Sequence, residues 1–401
     1  MNRVVITGLG PVSSVGIGVS AFAAALRDGR SGISPITSFD VSGFPHVCAG
    51  EVRNFDPARI LKRVQPGCWG RSSLFAAAAA RLAVDDAGVD LDREPLDRVG
   101  VVMGTTCGES QVSEALTHQI LAHGFDSQES RLIEQSPANR LAHAVSEELG
   151  ATGLSLTLST ACAASNYAIG YAFDCLSEGA ADMMVAGGSD SVCRWVHAGF
   201  YRLGTLAKES CVPFDKHRSG ILTAEGGSAL LLETLDHARA RGARVYAEVL
   251  GYGLNCDADH MVAPNAASVA ACMRLAHQHA GVGPEDIDYI CAHGTGTPAN
   301  DLAEFKAVRE VFGDHPPPMS SIKSMLGHTM GAASGFGAIA SALAVSTGYL
   351  PPTAGWATAD PMMPGLDAVP GRGRSATVDA VQNDGFAFGG NNAILILGAC
   401  A

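Results

Sequence analysis

Cys162 lies in the run Ser159-Thr160-Ala161-Cys162-Ala163-Ala164-Ser165, where strand-like alternation gives way to small and apolar residues. A thiol at such a strand-to-helix corner can act as a nucleophile. The free N–H groups at the start of the next helix favour thiolate over thiol and can also hold an oxyanion. His293 ends an apolar strand and enters a glycine–threonine loop, where Thr295 and Thr297 offer hydroxyls to an amide-containing substrate arm. His328 stands just before a helix start, a position that keeps an imidazole neutral so that one N–H can donate to a carbonyl. Lys323 is the only cation in the stretch 321–328. Residues 384–392 (DGFAFGGNN) place glycines around Phe386 and Phe388, giving a backbone that can approach a substrate and donate to it. Taken singly, each has an ordinary structural reading: a small buried thiol, a packed histidine, a loop lysine, a plain turn. Together they supply a nucleophile, two histidines, a lysine and a donor loop, each at the end of an element.

Those elements follow from patterning. Strands are expected at 3–7, 98–104, 154–158, 181–187, 245–250, 287–292 and 392–397. Leu154, Leu156 and Leu158 alternate with Ser155, Thr157 and Ser159, which is strand periodicity. Helices are expected at 20–27, 72–87, 163–178, 233–242, 302–312 and 331–346, with Gly88 and Gly179 ending two of them. Residues 163–178 are small or apolar all round, as in a helix buried on every side. A boundary after Gly242 divides the chain into 1–242, carrying Cys162, and 243–401, carrying His293 and His328. The similar βα order of the two halves points to internal duplication, without a strong residue-level repeat. Residues 315–318 and 351–373, rich in proline and glycine, read as surface connections.

Composition excludes several function classes. With 401 residues, 47 glycines, 47% hydrophobic and 17% charged residues, the chain is an α/β protein long enough for two domains. A net charge of -13 argues against nucleic acid or an anionic membrane as partner. Eleven scattered cysteines without a CxxC pair support neither a disulfide framework nor a metal site, and suit a reducing compartment. Residues 1–10 enter a strand directly, with no separate cationic region and cleavage site. Apolar runs such as 75–80 are too short to cross a bilayer, so the expectation is a soluble cytoplasmic protein.

Residues 159–165, 293–298, 323–328 and 386–392, in this order and spacing, resemble the motifs of the elongating β-ketoacyl synthases, which condense acyl chains on acyl carrier protein. The likeness runs nearly end to end, through the opening VVITGLGPVSSVG and residues 184–190, 213–227 and 237–253. The resemblance implies a thiolase-like α/β fold: two pseudo-symmetric βα halves in α-β-α-β-α layers, the site between them, and a dimer. It implies Cys162, His293 and His328 as the catalytic set. Relatives that start chains on coenzyme A pair the cysteine with histidine and asparagine, and thiolases use a second cysteine, so two histidines indicate decarboxylating elongation. The non-condensing chain-length partner usually lacks the cysteine, which this chain keeps.

By the same resemblance, the N–H groups of Cys162 and Phe388 form the oxyanion hole, and Phe388 gates the two half-reactions. Thr295 and Thr297 contact the phosphopantetheine arm of the carrier. Cys107 falls at the acyl pocket, where relatives often carry a larger residue, which implies a pocket that is wider or extends across the dimer. No metal or redox cofactor is implied. The implied partners are acyl carrier protein, with Lys62, Arg63, Arg202 and Lys208 as candidate docking cations, and either a second copy or a chain-length-factor-like subunit. Some positions depart from the family pattern. The helix after His328 normally carries a glutamate of the lysine's network where this chain has Gly337, which leaves Glu304 as a substitute partner for Lys323. Ala387 and Asn391 stand where glycine and threonine are common, and 63–71 (RVQPGCWGR) is atypical. These departures point to a type II polyketide or polyene system. Two other classes stay open: a non-condensing scaffold subunit, and a cysteine acyltransferase or hydrolase on the same fold.

Overall fold

Val4, Val5, Ile6, Leu9 and Val12 form a strand buried along its whole length, β1 (Val4–Ser13), which pairs with neighbours on both sides. The computed structural model describes residues 1–400, so Ala401, the last residue of the expected second half, lies outside the described residues. Following β1 come β2 (Val99–Gly104), β3 (Ser155–Leu158), β4 (Met183–Asp190) and β5 (Gly226–Thr234). The later part of the chain supplies β6 (Ala247–Cys256), β7 (Tyr289–Cys291), β8 (Met319–Ser320), β9 (Ala380–Phe386) and β10 (Asn391–Gly398).

These strands join in the order β8-β7-β9-β10-β6-β1-β5-β4-β2-β3. Read outward from the central β6–β1 pair, each side repeats the same order: first strand, fifth, fourth, second, third. The directions repeat too. β2 runs parallel to β3 and β4, as β7 does to β8 and β9, and the remaining pairs are antiparallel. The halves are therefore related by a pseudo-twofold axis at the β6–β1 pair.

Of the helices that matter to the site, α1 (Val19–Asp28) and α2 (Arg71–Ala87) precede β2, and α3 (Ala164–Ser177) follows β3. α4 (Ala266–Ala280), α5 (Pro298–Phe312) and α6 (Ala333–Thr347) belong to the second half. α2 covers β1 and β5, α4 covers β6 and β10, and α3 meets α6 between the two half-sheets. This is the layering of a thiolase-like fold. Every residue of α6 from Ala333 to Ala344 is buried, which explains its lack of a polar face. The stretch Met330–Thr347 is in fact long and apolar enough to span a membrane, contrary to the expectation drawn from 75–80; it is the covered core helix of this fold.

The two middle helices begin at matching corners. Thr160-Ala161-Cys162-Ala163-Ala164-Ser165 leads into α3, and Thr329-Met330-Gly331-Ala332-Ala333-Ser334 into α6. Each corner has a non-glycine residue in the left-handed region, Ala161 at φ 49° and Met330 at φ 54°. Each continues through a single 3-10 turn. The corners also brace one another: Ser165 Oγ donates to the Gly331 carbonyl at 2.6 Å, and the Asn166 N–H donates to Ser334 Oγ at 3.1 Å. Gly188 admits this contact, since a Cβ there would lie 2.6 Å from the Gly331 carbonyl oxygen.

Some expectations need correction. The charged helix expected at 233–242 is only Leu235–Ala240, because Glu233 completes β5. Its buried carboxylate is matched by Arg241, whose Nε donates at 2.8 Å. β3 exists, and Leu156 and Leu158 pack against the main core as their alternation implies; Leu154 does not. β3 is the last strand of the sheet, and Leu154 beside it is 43% exposed. β5, β9, α4 and the helices Ser110–His123, Arg140–Leu149 and Arg194–Arg202 were not anticipated.

Candidate active site

Cys162 is buried at the β3–α3 corner, and its Sγ faces two main-chain donors, its own N–H and that of Phe388. Burial pushes the thiol up to about 12, while Lys323 and the two N–H groups pull the other way. Desolvation of the buried sulfur thus opposes, and outweighs, the dipoles that were expected to favour the thiolate.

His293 follows β7. Its N–H and that of Gly294 donate to the two oxygens of buried Glu304 on α5, at 2.7 and 2.8 Å. His328 occupies the second corner, where its N–H donates to the Leu222 carbonyl at 2.7 Å. Its Nδ1 accepts from the Met330 N–H at 3.1 Å, which leaves the imidazole proton on Nε2. The two rings meet edge to face with centroids 5.6 Å apart. Burial first, then the positive charge of Lys323, holds both histidines well below the ordinary range, and His328 adds to the effect on His293. The neutral ring expected of His328 is thus favoured, and that of His293 with it, by burial and a buried cation.

Lys323 is buried in the one-turn helix Lys323–Leu326, and its Nζ donates to the main-chain carbonyl of His293. Burial lowers its pKa, with Glu304 the strongest opposing charge. Glu304 therefore serves Lys323 through the field, while its oxygens hold the histidine loop. A side chain at Gly337 would have to displace Asn383, because a Cβ would fall 2.3 Å from its Oδ1.

Cys162, His293, His328, Thr295, Thr297 and Phe388 line one pocket of about 670 Å³, counted to its open mouth. The Phe388 ring is tilted against that of Phe200 with centroids 6.2 Å apart, and Phe200 lies 6.3 Å from His328. Thr295 and Thr297 face each other at 2.9 Å between hydroxyls, and Thr297 also caps α5 by accepting from the Asn300 N–H at 3.3 Å. Cys107 does not line this pocket; it packs in an apolar cluster with Phe200, Met330 and Phe388. Of the candidate docking cations, Arg202 and Lys208 are exposed on either side of Thr205, itself a pocket residue. Arg63 is exposed, and Lys62 pairs with Asp85 at 3.1 Å.

Sequence reasoning missed Asp190 as a brace. Its buried carboxylate accepts from Thr105 Oγ1 and from the N–H groups of Thr106 and Cys107, at 2.8, 2.8 and 2.9 Å. It also accepts from the Gly331 N–H at 2.7 Å, tying the Cys107 loop to the second corner. Burial raises its pKa to about 6. A donor-rich Gly-Thr-Thr-Cys-Gly loop facing a strand that ends in Asp was the available signal.

The arrangement can take an acyl group onto sulfur, hold a tetrahedral oxyanion on two N–H groups, and polarise a second carbonyl with two neutral imidazoles. Comparison with known proteins agrees with that chemistry. Residues 1–238 match the model of the beta-ketoacyl synthase N-terminal domain, and 246–357 that of its C-terminal domain. A Synechocystis protein named 3-oxoacyl-[acyl-carrier-protein] synthase 2 is 36% identical, covering 98% of this chain and 97% of its own. The solved ishigamide ketosynthase/chain length factor aligns over 100% of both chains with 48% identity and a TM-score of 0.98. A type II polyketide ketosynthase bound to the hexaketide, in complex with its acyl carrier protein, aligns over 100% of both chains with 31% identity and a TM-score of 0.92.

Proposed function

The chain belongs to the beta-ketoacyl synthase family, and on that premise we propose that it elongates acyl chains by decarboxylative condensation, with Cys162 as nucleophile. The observation that carries the reading is a buried sulfur facing two main-chain N–H groups in the same pocket as two neutral histidines.

Cys162 attacks the thioester of an acyl carrier protein, and its proton leaves with the carrier thiol. The N–H groups of Cys162 and Phe388 stabilise the oxyanion. Malonyl carrier protein then enters with its phosphopantetheine arm along Thr295 and Thr297. The Nε2–H of His328 and a donor from His293 hold its thioester carbonyl. Carbon dioxide leaves, and the enolate so formed attacks the acyl carbon on Cys162. The sulfur departs as thiolate and takes up a proton, giving the β-ketoacyl carrier and the free thiol. Two donors on a developing enolate in a dry pocket contribute about 5–8 kcal/mol. Phe388, tilted against Phe200 beside His328, is the gate between the two half-reactions.

We read 1–242 and 243–401 as the two halves of this enzyme. We also place it in the cytoplasm, with no cofactor beyond the arm of the carrier. It works with acyl carrier protein and as a dimer with itself or with a chain-length-factor-like subunit. The 48% identity to the ishigamide ketosynthase favours type II polyketide elongation of polyene type.

Intact-mass measurement after incubation with acyl carrier proteins of varied chain length, beside Cys162→Ala, tests the reading. An adduct on Cys162 that discharges into a β-ketoacyl product only on addition of malonyl carrier protein is expected. No adduct with any chain, even with a chain-length partner present, would mean a scaffold subunit, and discharge by water alone a hydrolase.

A further inference from the structure

Beneath the histidine loop lies a second carboxyl that the chemistry above leaves unused. Asp384, on β9, is buried beside Glu304, whose negative charge helps burial to raise its pKa. Its Oδ1 accepts from Gln382 Nε2 at 2.8 Å, and Gln382 Oε1 in turn faces His277 Nε2 at 2.8 Å. Its Oδ2 is buried and finds no donor so long as both carboxyls are counted as ionised. Glu304 accepts from three donors, the N–H groups of His293 and Gly294 and Asn300 Nδ2 at 3.2 Å, one short of a carboxylate's capacity.

The surroundings decide the charge. Facing the pair are Lys323, Asp301 on α5, Cys291 on β7 and Cys272 on α4, with His277 behind Gln382. Asp301 lies 3.6 Å from Arg218, which also pairs with Asp360 at 2.6 Å, so Arg218 has no positive charge to spare for the pair. Lys323 is then the one cation among these groups, against two carboxyls. Two carboxylates in contact in a dry interior do not both ionise. A single proton between them gives Asp384 Oδ2 its missing partner and leaves one negative charge opposite one positive.

We propose that Asp384 and Glu304 share one proton, and that Asp384 is thereby a positioning residue that holds the Glu304 carboxylate against the main-chain N–H groups of His293 and Gly294. Loss of that proton places a second negative charge beside Glu304 and drives its carboxylate off the loop that carries His293. The inference rests on the condensing reading for its kinetic consequence, not for the shared proton itself.

Two variants of the full chain test it. Asp384→Asn keeps an N–H donor toward Glu304 that cannot ionise; Asp384→Leu keeps the volume and removes the donor. Infrared difference spectra between wild type and Asp384→Asn at about pH 8, where ordinary carboxyls are ionised, should show the carbonyl stretch of a protonated carboxyl in the wild type only. Single-turnover condensation from acyl-Cys162 should show an alkaline limb in the wild type that is missing in Asp384→Asn. Asp384→Leu should lower the rate about ten-fold without an equal change in KM for malonyl carrier protein. Absence of the infrared band, or an identical alkaline limb in Asp384→Asn, overturns the proposal. Should Asp384→Leu fail to fold, the asparagine variant and the band still decide. A wild type that shows the band yet never condenses would refute the functional reading and leave the shared proton standing.

Discussion

The Nζ of Lys323 donates to the main-chain carbonyl of His293, thirty residues earlier in the chain, and so places a buried positive charge beside both catalytic histidine candidates. Together with burial, that charge holds the two imidazoles neutral. The sign of its removal follows. In Lys323→Met a depressing cause common to both histidines is gone, both pKa values rise, and protonation of His328 Nδ1 then breaks the bond from the Met330 N–H at a higher pH. Condensation should fall about 100-fold, with the acid limb of kcat/KM displaced upward. Lys323→Arg should not restore it, because the guanidinium is too large for a fully enclosed site. An unmoved acid limb in Lys323→Met would show that the lysine does not act on the histidines through its charge.

Gly337 faces an Asn383 side chain that cannot give way cheaply. Asn383 Nδ2 donates to Asn166 Oδ1 and to the Ser334 carbonyl, both at 2.9 Å, linking α3, α6 and β9. A methyl group at 337 must displace it and strain that junction. Gly337→Ala should therefore destabilise the protein by about 1–3 kcal/mol, read from urea midpoints at unchanged m-value. A wild-type midpoint would mean that Asn383 has a second comfortable rotamer.

The contrast between corner and strand explains what was legible beforehand. Cys162, His293 and His328 stood out because each ends a regular element in a run of small residues, and the structure does bring them to one pocket. The paired corners were also readable, as Thr-Ala-Cys-Ala-Ala-Ser against Thr-Met-Gly-Ala-Ala-Ser, yet a search for a long repeat passes over six residues. β9 stayed hidden for a physical reason. Its middle is Gln382-Asn383-Asp384, polar residues that read as loop, and each is buried beside a residue of a distant element, His277, Asn166 and Glu304 in turn. Glu233 in β5 misled in the same way, its charge answered by Arg241. Patterning assumes that buried positions are apolar. It fails where a tertiary network satisfies buried polar groups, and here those networks surround the site.

Thr297 has two roles that substitution can separate. Its hydroxyl caps α5 and also meets Thr295 at the pocket wall. Thr297→Ser keeps both hydrogen bonds, whereas Thr297→Val loses both. The valine variant should lose about 0.5–2 kcal/mol of stability through the missing cap and raise KM for carrier-bound substrate. Thr297→Ser should stay close to wild type in both measurements. A valine variant with lowered stability but unchanged KM would confine Thr297 to the cap.

β3 ends the sheet with one edge unpaired and Leu154 exposed beside it, an arrangement that invites pairing with another chain. In an isolated monomer, Leu154→Asp is a surface change worth less than about 0.5 kcal/mol. If β3 of one subunit lies against its counterpart, in a second copy or in a chain-length-factor-like partner, the same change buries a carboxylate at the junction and should dissociate the pair. Light scattering after gel filtration, with and without the partner subunit, reads the outcome as a drop to monomer mass while the circular dichroism spectrum is retained. Cys162 follows β3 by four residues, so dissociation should also lower the rate of acyl-adduct formation. A Leu154→Asp protein that keeps its dimer mass would move the interface elsewhere and leave the exposed edge without a partner.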